Sequence, residues 1–123
     1  MIDVSYQKII DIIVPTIPEN WEKVVCRIMY FGDSCEIKYY VKDNSGYRDS
    51  FALNLDNQVI IDTILMVEKE VRKVRENLSG DELWSLATIV FRSDGYFWAD
   101  FNYEVDILEN TDAMRAWKMK YLT

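Results

Sequence analysis

The chain has 123 residues and a mass of 14.6 kDa, and half of its residues are apolar while 28% are charged. This balance indicates one globular domain over residues 1–123 and excludes a disordered chain. Its 14 basic and 21 acidic residues give a net charge of −7, which disfavours direct binding to nucleic acid or to an anionic membrane, since both need a basic face.

Apolar periodicity and turn residues predict eight elements. Apolar side chains that recur every three to four residues indicate helices, and runs of β-branched or alternating apolar residues indicate strands. Short connections between the strands predict a mostly antiparallel five-stranded sheet with helices packed on one face. The fold class is therefore α+β, in the order α-β-β-β-α-β-β-α. In chain order the predicted elements are a helix over 3–14, strands over 22–31, 35–42 and 47–53, a helix from 56–57 to 80, strands over 84–92 and 96–105, and a helix over 112–121.

Capping and turn residues mark the ends of these elements. Asp3 and Asp56 are the expected N-caps of the first two helices, because a short acidic side chain accepts a hydrogen bond from the first helical turn. Gly80 is expected to end the second helix. Ser93-Asp94-Gly95 predicts the turn of the second hairpin, with the glycine at a positive φ.

The two cysteines are expected to remain reduced. In a hairpin that turns near Gly32-Asp33, Cys26 lies opposite Tyr39 and Cys35 lies opposite Tyr30. The two sulfur atoms are then several residues apart along the ladder, too far for a disulfide. Lone thiols suit a reducing compartment, so we expect a cytoplasmic protein. The apolar residues near the N-terminus are interrupted by charges and do not form a signal peptide.

The strand 96–105 contains the candidate binding residues. One set of its side chains is expected in the core, namely Phe97, Ala99, Phe101, Tyr103 and Val105. The opposite set mixes large aromatic and polar side chains, and tryptophan and tyrosine are typical anchors of protein interfaces. The candidate contacts are Tyr96, Trp98, Asp100, Asn102 and Glu104, with Asp106 just beyond them and Tyr40 on a neighbouring strand.

Charge in this region is one-sided. Residues 93–114 contain six acidic side chains and no lysine or arginine. An acidic aromatic face could block a basic groove, and electrostatic matching would speed the encounter. A solvated sheet face with an acidic turn explains the same pattern without any function. A carboxylate-pair enzyme is a third interpretation, in which Asp100 and Asp106 act as acid and base or bind Mg²⁺.

Other catalytic chemistry is restricted by composition. The chain has no histidine, which excludes histidine triads and histidine-ligated metals. With four glycines and no phosphate loop, nothing indicates a nucleophile or an oxyanion hole. We therefore assign no catalytic residue, no metal and no cofactor.

The order of motifs resembles the YezG-like immunity proteins, antitoxins of bacterial polymorphic toxin systems. A tryptophan strand, an SDG hairpin, an aromatic-acidic strand and a final W-KYL helix recur in that family. Here they correspond to Trp84, Ser93-Asp94-Gly95, Asp100-Phe101-Asn102-Tyr103 with Asp106, and Trp117 with Lys120-Tyr121-Leu122. The matching segments are IPENWEKV (17–24), EIKYYVK (36–42), LWSLATIVFRSDGYFWADFNYEV (83–105) and RAWKMKYL (115–122).

This resemblance implies an α+β protein that is not an enzyme. It implies that the partner is the C-terminal toxin domain of a secreted protein, often a nuclease exported by a type VII system, which is kept inactive in the producer's cytoplasm. A nuclease groove is basic, so an inhibitor of charge −7 is a physically reasonable plug. We expect a monomer that binds its toxin 1:1, with no direct contact to nucleic acid or membrane. The alternative is an adaptor or chaperone that binds such a toxin without inhibiting it.

Overall fold

The computed structural model of the chain describes residues 4–31, 34–103 and 111–122. These residues form an α+β fold, and the predicted fold class and element order are confirmed. Short 3-10 turns lie at Val14–Thr16, Ser50–Ala52 and Gly80–Glu82. The helices are α1 (Val4–Ile13), α2 (Asn57–Arg75) and α3 (Thr111–Tyr121), and the strands are β1 (Lys23–Phe31), β2 (Ser34–Asp43), β3 (Gly46–Asp49), β4 (Leu86–Arg92) and β5 (Phe97–Asn102).

The five strands form one antiparallel sheet in the order β3-β2-β1-β4-β5. The register between β1 and β2 is the predicted one, with Cys26 opposite Tyr39 and Cys35 opposite Tyr30. Both cysteines are free thiols. The expected turn residues Gly32 and Asp33 lie outside the described part of the chain.

The two faces of the sheet pack against different helices. Alternate residues of β1, such as Val24 and Cys26, point into a core that α1 and α2 cover. The intervening residues, such as Val25 and Met29, point to the opposite face and pack against α3. The prediction that helices lie on one face is therefore correct for α1 and α2 and wrong for α3. The physical reason is that six consecutive residues of β1 are buried, so both faces of the sheet need a cover.

Two predicted boundaries are also corrected. The third strand ends at Asp49 rather than continuing to Leu53, because the Asp49 side chain accepts a hydrogen bond from the backbone N–H of Phe51 and starts a 3-10 turn. Helix α2 ends at Arg75, well before Gly80, and the chain then tightens through i to i+3 backbone bonds. Gly80 instead opens the next 3-10 turn at a φ of 58°.

Other local predictions are confirmed. Asp56 caps α2 by accepting a hydrogen bond from the backbone N–H of Gln58 at 2.8 Å. Gly95 has a φ of 93° in the turn between β4 and β5.

Tyr103 was expected in the core, but it follows the end of β5 and is 49% exposed. The expected cap Asp3 and the expected core residue Val105 lie outside the described residues.

Candidate functional site

A hydrogen-bond network fixes α3 to the middle of the second sheet face. The indole N–H of Trp117 donates to Thr88 Oγ1 at 2.9 Å. The Tyr121 hydroxyl donates to Asp100 Oδ2 at 2.7 Å. Burial, followed by the bond to Asp100 and its negative charge, raises the pKa of Tyr121 to about 12. Tyr121 is therefore a protonated donor at neutral pH, and Asp100 is engaged within the fold.

Tyr40 does not take part in an exposed surface. It points to the predicted face, but its ring lies 5.7 Å from the ring of Trp117 and the residue is only 6% exposed. The expectation that Tyr40 is exposed is therefore wrong, because α3 covers it, and its contact with a partner stays a prediction. The guanidinium of Arg27 completes this layer, 4.8 Å from the Trp117 ring centroid.

Asn102 lies apart from the two aromatic candidates. It is exposed at the end of β5, beside α3, and is separated from Trp98 by about 13 Å of strand. Asp100, with its bond to Tyr121, lies between them. Glu104 and Asp106, the remaining acidic candidates, lie outside the residues that the structure describes.

Tyr96 and Trp98 lie together at the end of the face that α3 leaves open. Their ring centroids are 5.1 Å apart in an edge-to-face arrangement, and Tyr96 is 57% exposed. Trp98 is half-buried and packs against the core beneath α3. This geometry is typical of an interface anchor, since the rings are held by the protein and still present apolar area to a partner.

Cations of β4, β1 and β2 form a row that begins beside these rings. We call this region the Trp98 surface, and it is formed by Lys23, Lys42, Tyr47, Arg92, Tyr96 and Trp98. Lys42, Lys23 and Arg92 are direct neighbours across β2, β1 and β4. The Nζ atom of Lys23 lies 5.9 Å from the ring centroids of both Tyr47 and Trp98.

The described part of this surface is basic, whereas three of the six acidic residues in 93–114, namely Glu104, Asp106 and Glu109, lie outside the described residues. Arg92 pairs with Asp94. Neither Lys23 nor Lys42 has a carboxylate partner among the described residues. The lysines belong to strands remote in sequence from β5, so the charge of that segment could not reveal them.

A second exposed apolar surface lies on the outer side of α2 and was missed in the sequence. Leu65 is 56% exposed and Met66 is 55% exposed, with Val59 and Ile61 nearby on the helix. The signal was present, because Asp62 is the only charged residue between 57 and 67 and the apolar residues exceed one stripe. A groove of about 560 Å³ between α1 and α2 adjoins Met66.

The described ranges contain no metal cluster and no membrane-spanning helix. Within them, no three cysteine or acidic side chains lie close enough together to hold a metal ion. None of the helices in these ranges is long and apolar enough to cross a membrane.

Comparison with known proteins identifies the family. The profile described as "Immunity protein YezG-like" matches residues 2–123. The chain belongs to the YezG-like immunity protein family. It is also similar to the protein named "Immunity protein YezG" from Bacillus spizizenii strain W23, with 26% identity over 95% of this chain and 80% of that protein.

Family membership gives the protein an immunity, or antitoxin, role. The partner that this role implies is a protein toxin, so the relevant sites on a YezG-like immunity protein are its protein-binding surfaces. The Trp98 surface and the outer side of α2 are the two candidates in the described residues.

Proposed function

We propose that this protein neutralises the C-terminal toxin domain of a secreted polymorphic toxin by binding it through the Trp98 surface. The toxin domain is a nuclease exported by a type VII system, and the complex forms in the cytoplasm of the producing cell. The immunity protein is monomeric when free, binds 1:1, and has no enzymatic activity of its own.

The exposed ring pair of Tyr96 and Trp98 carries the proposal. Aromatic residues supply much of the binding energy in protein interfaces when they are held rigidly at the centre of a patch. These two lie on a strand and its adjoining turn, beside a core that fixes their position. Glu104 and Asp106, which follow in sequence, are proposed as contacts for basic residues of the toxin.

The overall charge supports a nuclease as the target. A net charge of −7 attracts a domain that holds nucleic-acid phosphates in a basic groove. The same charge disfavours binding of the immunity protein to the nucleic acid itself.

Co-purification with the C-terminal domain of the toxin-like protein encoded beside this chain tests the proposal. We expect a 1:1 complex in which nuclease activity is lost. A complex that still cuts nucleic acid would favour the adaptor, and the lack of any complex would contradict the proposed function.

Substitution then tests the surface. Trp98→Ala should cost about 2 kcal/mol of binding free energy, which raises the dissociation constant about 30-fold. Leu65→Ala on α2 is the matched control, because it also removes an exposed apolar side chain and should change binding less than threefold. The reverse pattern would place the interface on α2.

A further inference from the structure

We infer that Lys23 and Lys42 on the Trp98 surface receive a carboxylate of the toxin domain. The inference rests on the proposed function, and it specifies the chemistry of the partner at one position. The two lysines are directly opposite each other in the β1–β2 register.

Like charges at directly opposed positions of a sheet repel each other. Among the described residues no carboxylate pairs with either lysine, although the protein has an excess of acidic side chains. Two adjacent lysines at this aromatic patch, with no carboxylate partner among residues 4–31, 34–103 and 111–122, form a charge arrangement that an incoming anion would complete.

The aromatic rings keep the lysines in place. Lys23 Nζ lies 5.9 Å from the centroids of the Tyr47 and Trp98 rings, and Lys42 Nζ lies 5.8 Å from that of Tyr47. These cation–π contacts restrain two otherwise flexible side chains. A carboxylate that reaches them would therefore meet donors that have already lost part of their freedom, which favours binding.

The hydroxyl of Tyr47 provides a second observation at the same place. It is shielded from solvent and has no hydrogen-bond partner in the described chain. An unpaired buried hydroxyl is unfavourable. A partner carboxylate that reached this hydroxyl on rearrangement of the surrounding side chains would supply the acceptor that the donor lacks.

Chemistry favours a protein carboxylate over a nucleic-acid phosphate. A polyanion would approach the whole chain, whose net charge of −7 repels it, whereas a single carboxylate on a protein contacts only the local basic patch. This is compatible with a toxin domain that is basic overall. Long-range attraction depends on net charges, and the docked contact depends on groups within a few ångströms.

The test compares two identical charge reversals at different positions. Lys23→Glu is compared with Lys69→Glu. Both substitutions change the net charge equally, but Lys69 is exposed on α2. The probe is the C-terminal toxin domain encoded beside this chain, with affinity measured calorimetrically at low and moderate salt. We expect Lys23→Glu to weaken binding at least tenfold and Lys69→Glu to change it less than threefold. Lys23→Met, which keeps the apolar stem, should weaken binding by an intermediate factor and guards against misfolding of the first variant.

The outcomes separate this inference from the proposed function. If the native chain binds and inhibits the toxin but the two reversals have equal effects, the carboxylate contact is refuted and the immunity complex stands. If the native chain does not bind the toxin, both fail. If instead the native chain binds a 20-base-pair DNA duplex and the Lys23→Glu variant does not, the site takes phosphate and the inference is overturned.

Discussion

Thr88→Val tests whether a buried hydrogen-bond network holds α3 on the second face of the sheet. Thr88 is fully buried, and its Oγ1 accepts the indole N–H of Trp117 at 2.9 Å. Valine has nearly the same shape as threonine, so the substitution removes the acceptor without leaving a cavity. The indole N–H of Trp117, itself only 6% exposed in the fold, then has no partner. Leaving a buried donor unpaired costs about 1–3 kcal/mol, and each kcal/mol lowers Tm by roughly 4 °C in a domain of this length.

Equilibrium unfolding in urea, followed by tryptophan fluorescence, measures this loss. Thr63→Val is the matched control, since the Thr63 hydroxyl donates to the Val59 carbonyl at 2.8 Å within α2. That carbonyl also accepts the regular helical bond, so valine at 63 leaves no group unpaired and should change stability by less than about 0.5 kcal/mol. Equal stabilities of the two variants would refute the view that the Trp117 bond anchors α3.

Two further predictions concern single hydrogen bonds at other positions. Asp56→Ala removes the N-cap of α2 and should cost about 1 kcal/mol in the same unfolding assay. Asp62→Ala, within the helix, should cost less than half as much, and equal losses would contradict the role of the cap. The fold raises the pKa of Tyr121 from 10.0 to about 12, so ionisation is harder in the folded chain. The stability that this pKa difference contributes is complete below pH 10 and is lost as the pH rises to about 12. Unfolding free energies should therefore fall less between pH 10 and 12 in Tyr121→Phe than in the native chain, and parallel curves would show that this tyrosine does not contribute.

The sequence was sufficient to predict the fold class, the element order and one strand register. Each of these depends on local patterns, namely alternation, capping residues and hairpin turns. The placement of α3 on the second face of the sheet was not predicted correctly. The missed signal was the stretch at 24–31, which is apolar on both faces of the strand and is interrupted only by Arg27.

Only the part of the candidate site that lies on a single strand was predicted from the sequence. Tyr96 and Trp98 follow from alternation along one strand. The correct β1–β2 register already placed Lys23 opposite Lys42, but bringing this pair to Trp98 requires the pairing of β1 with β4, some 60 residues apart in the chain. The burial of Tyr40 was equally hidden, because a strand's period of two gives the face and not what covers it.

The open Trp98 surface is a consequence of helix length. Helix α3 has 11 residues and spans about 16 Å, whereas the nine residues of β1 extend over about 30 Å. On the first face, α1 and the 19-residue α2 pack side by side over the same strands. On the second face one short helix covers the middle and leaves the Lys23 end uncovered by described residues. Strand pairing fixes the backbone at this end of the sheet, so the side chains that it carries start from fixed positions. Since the Lys23 and Lys42 side chains are only partly buried, substitutions there should leave the fold intact and can test the proposed contact with a toxin.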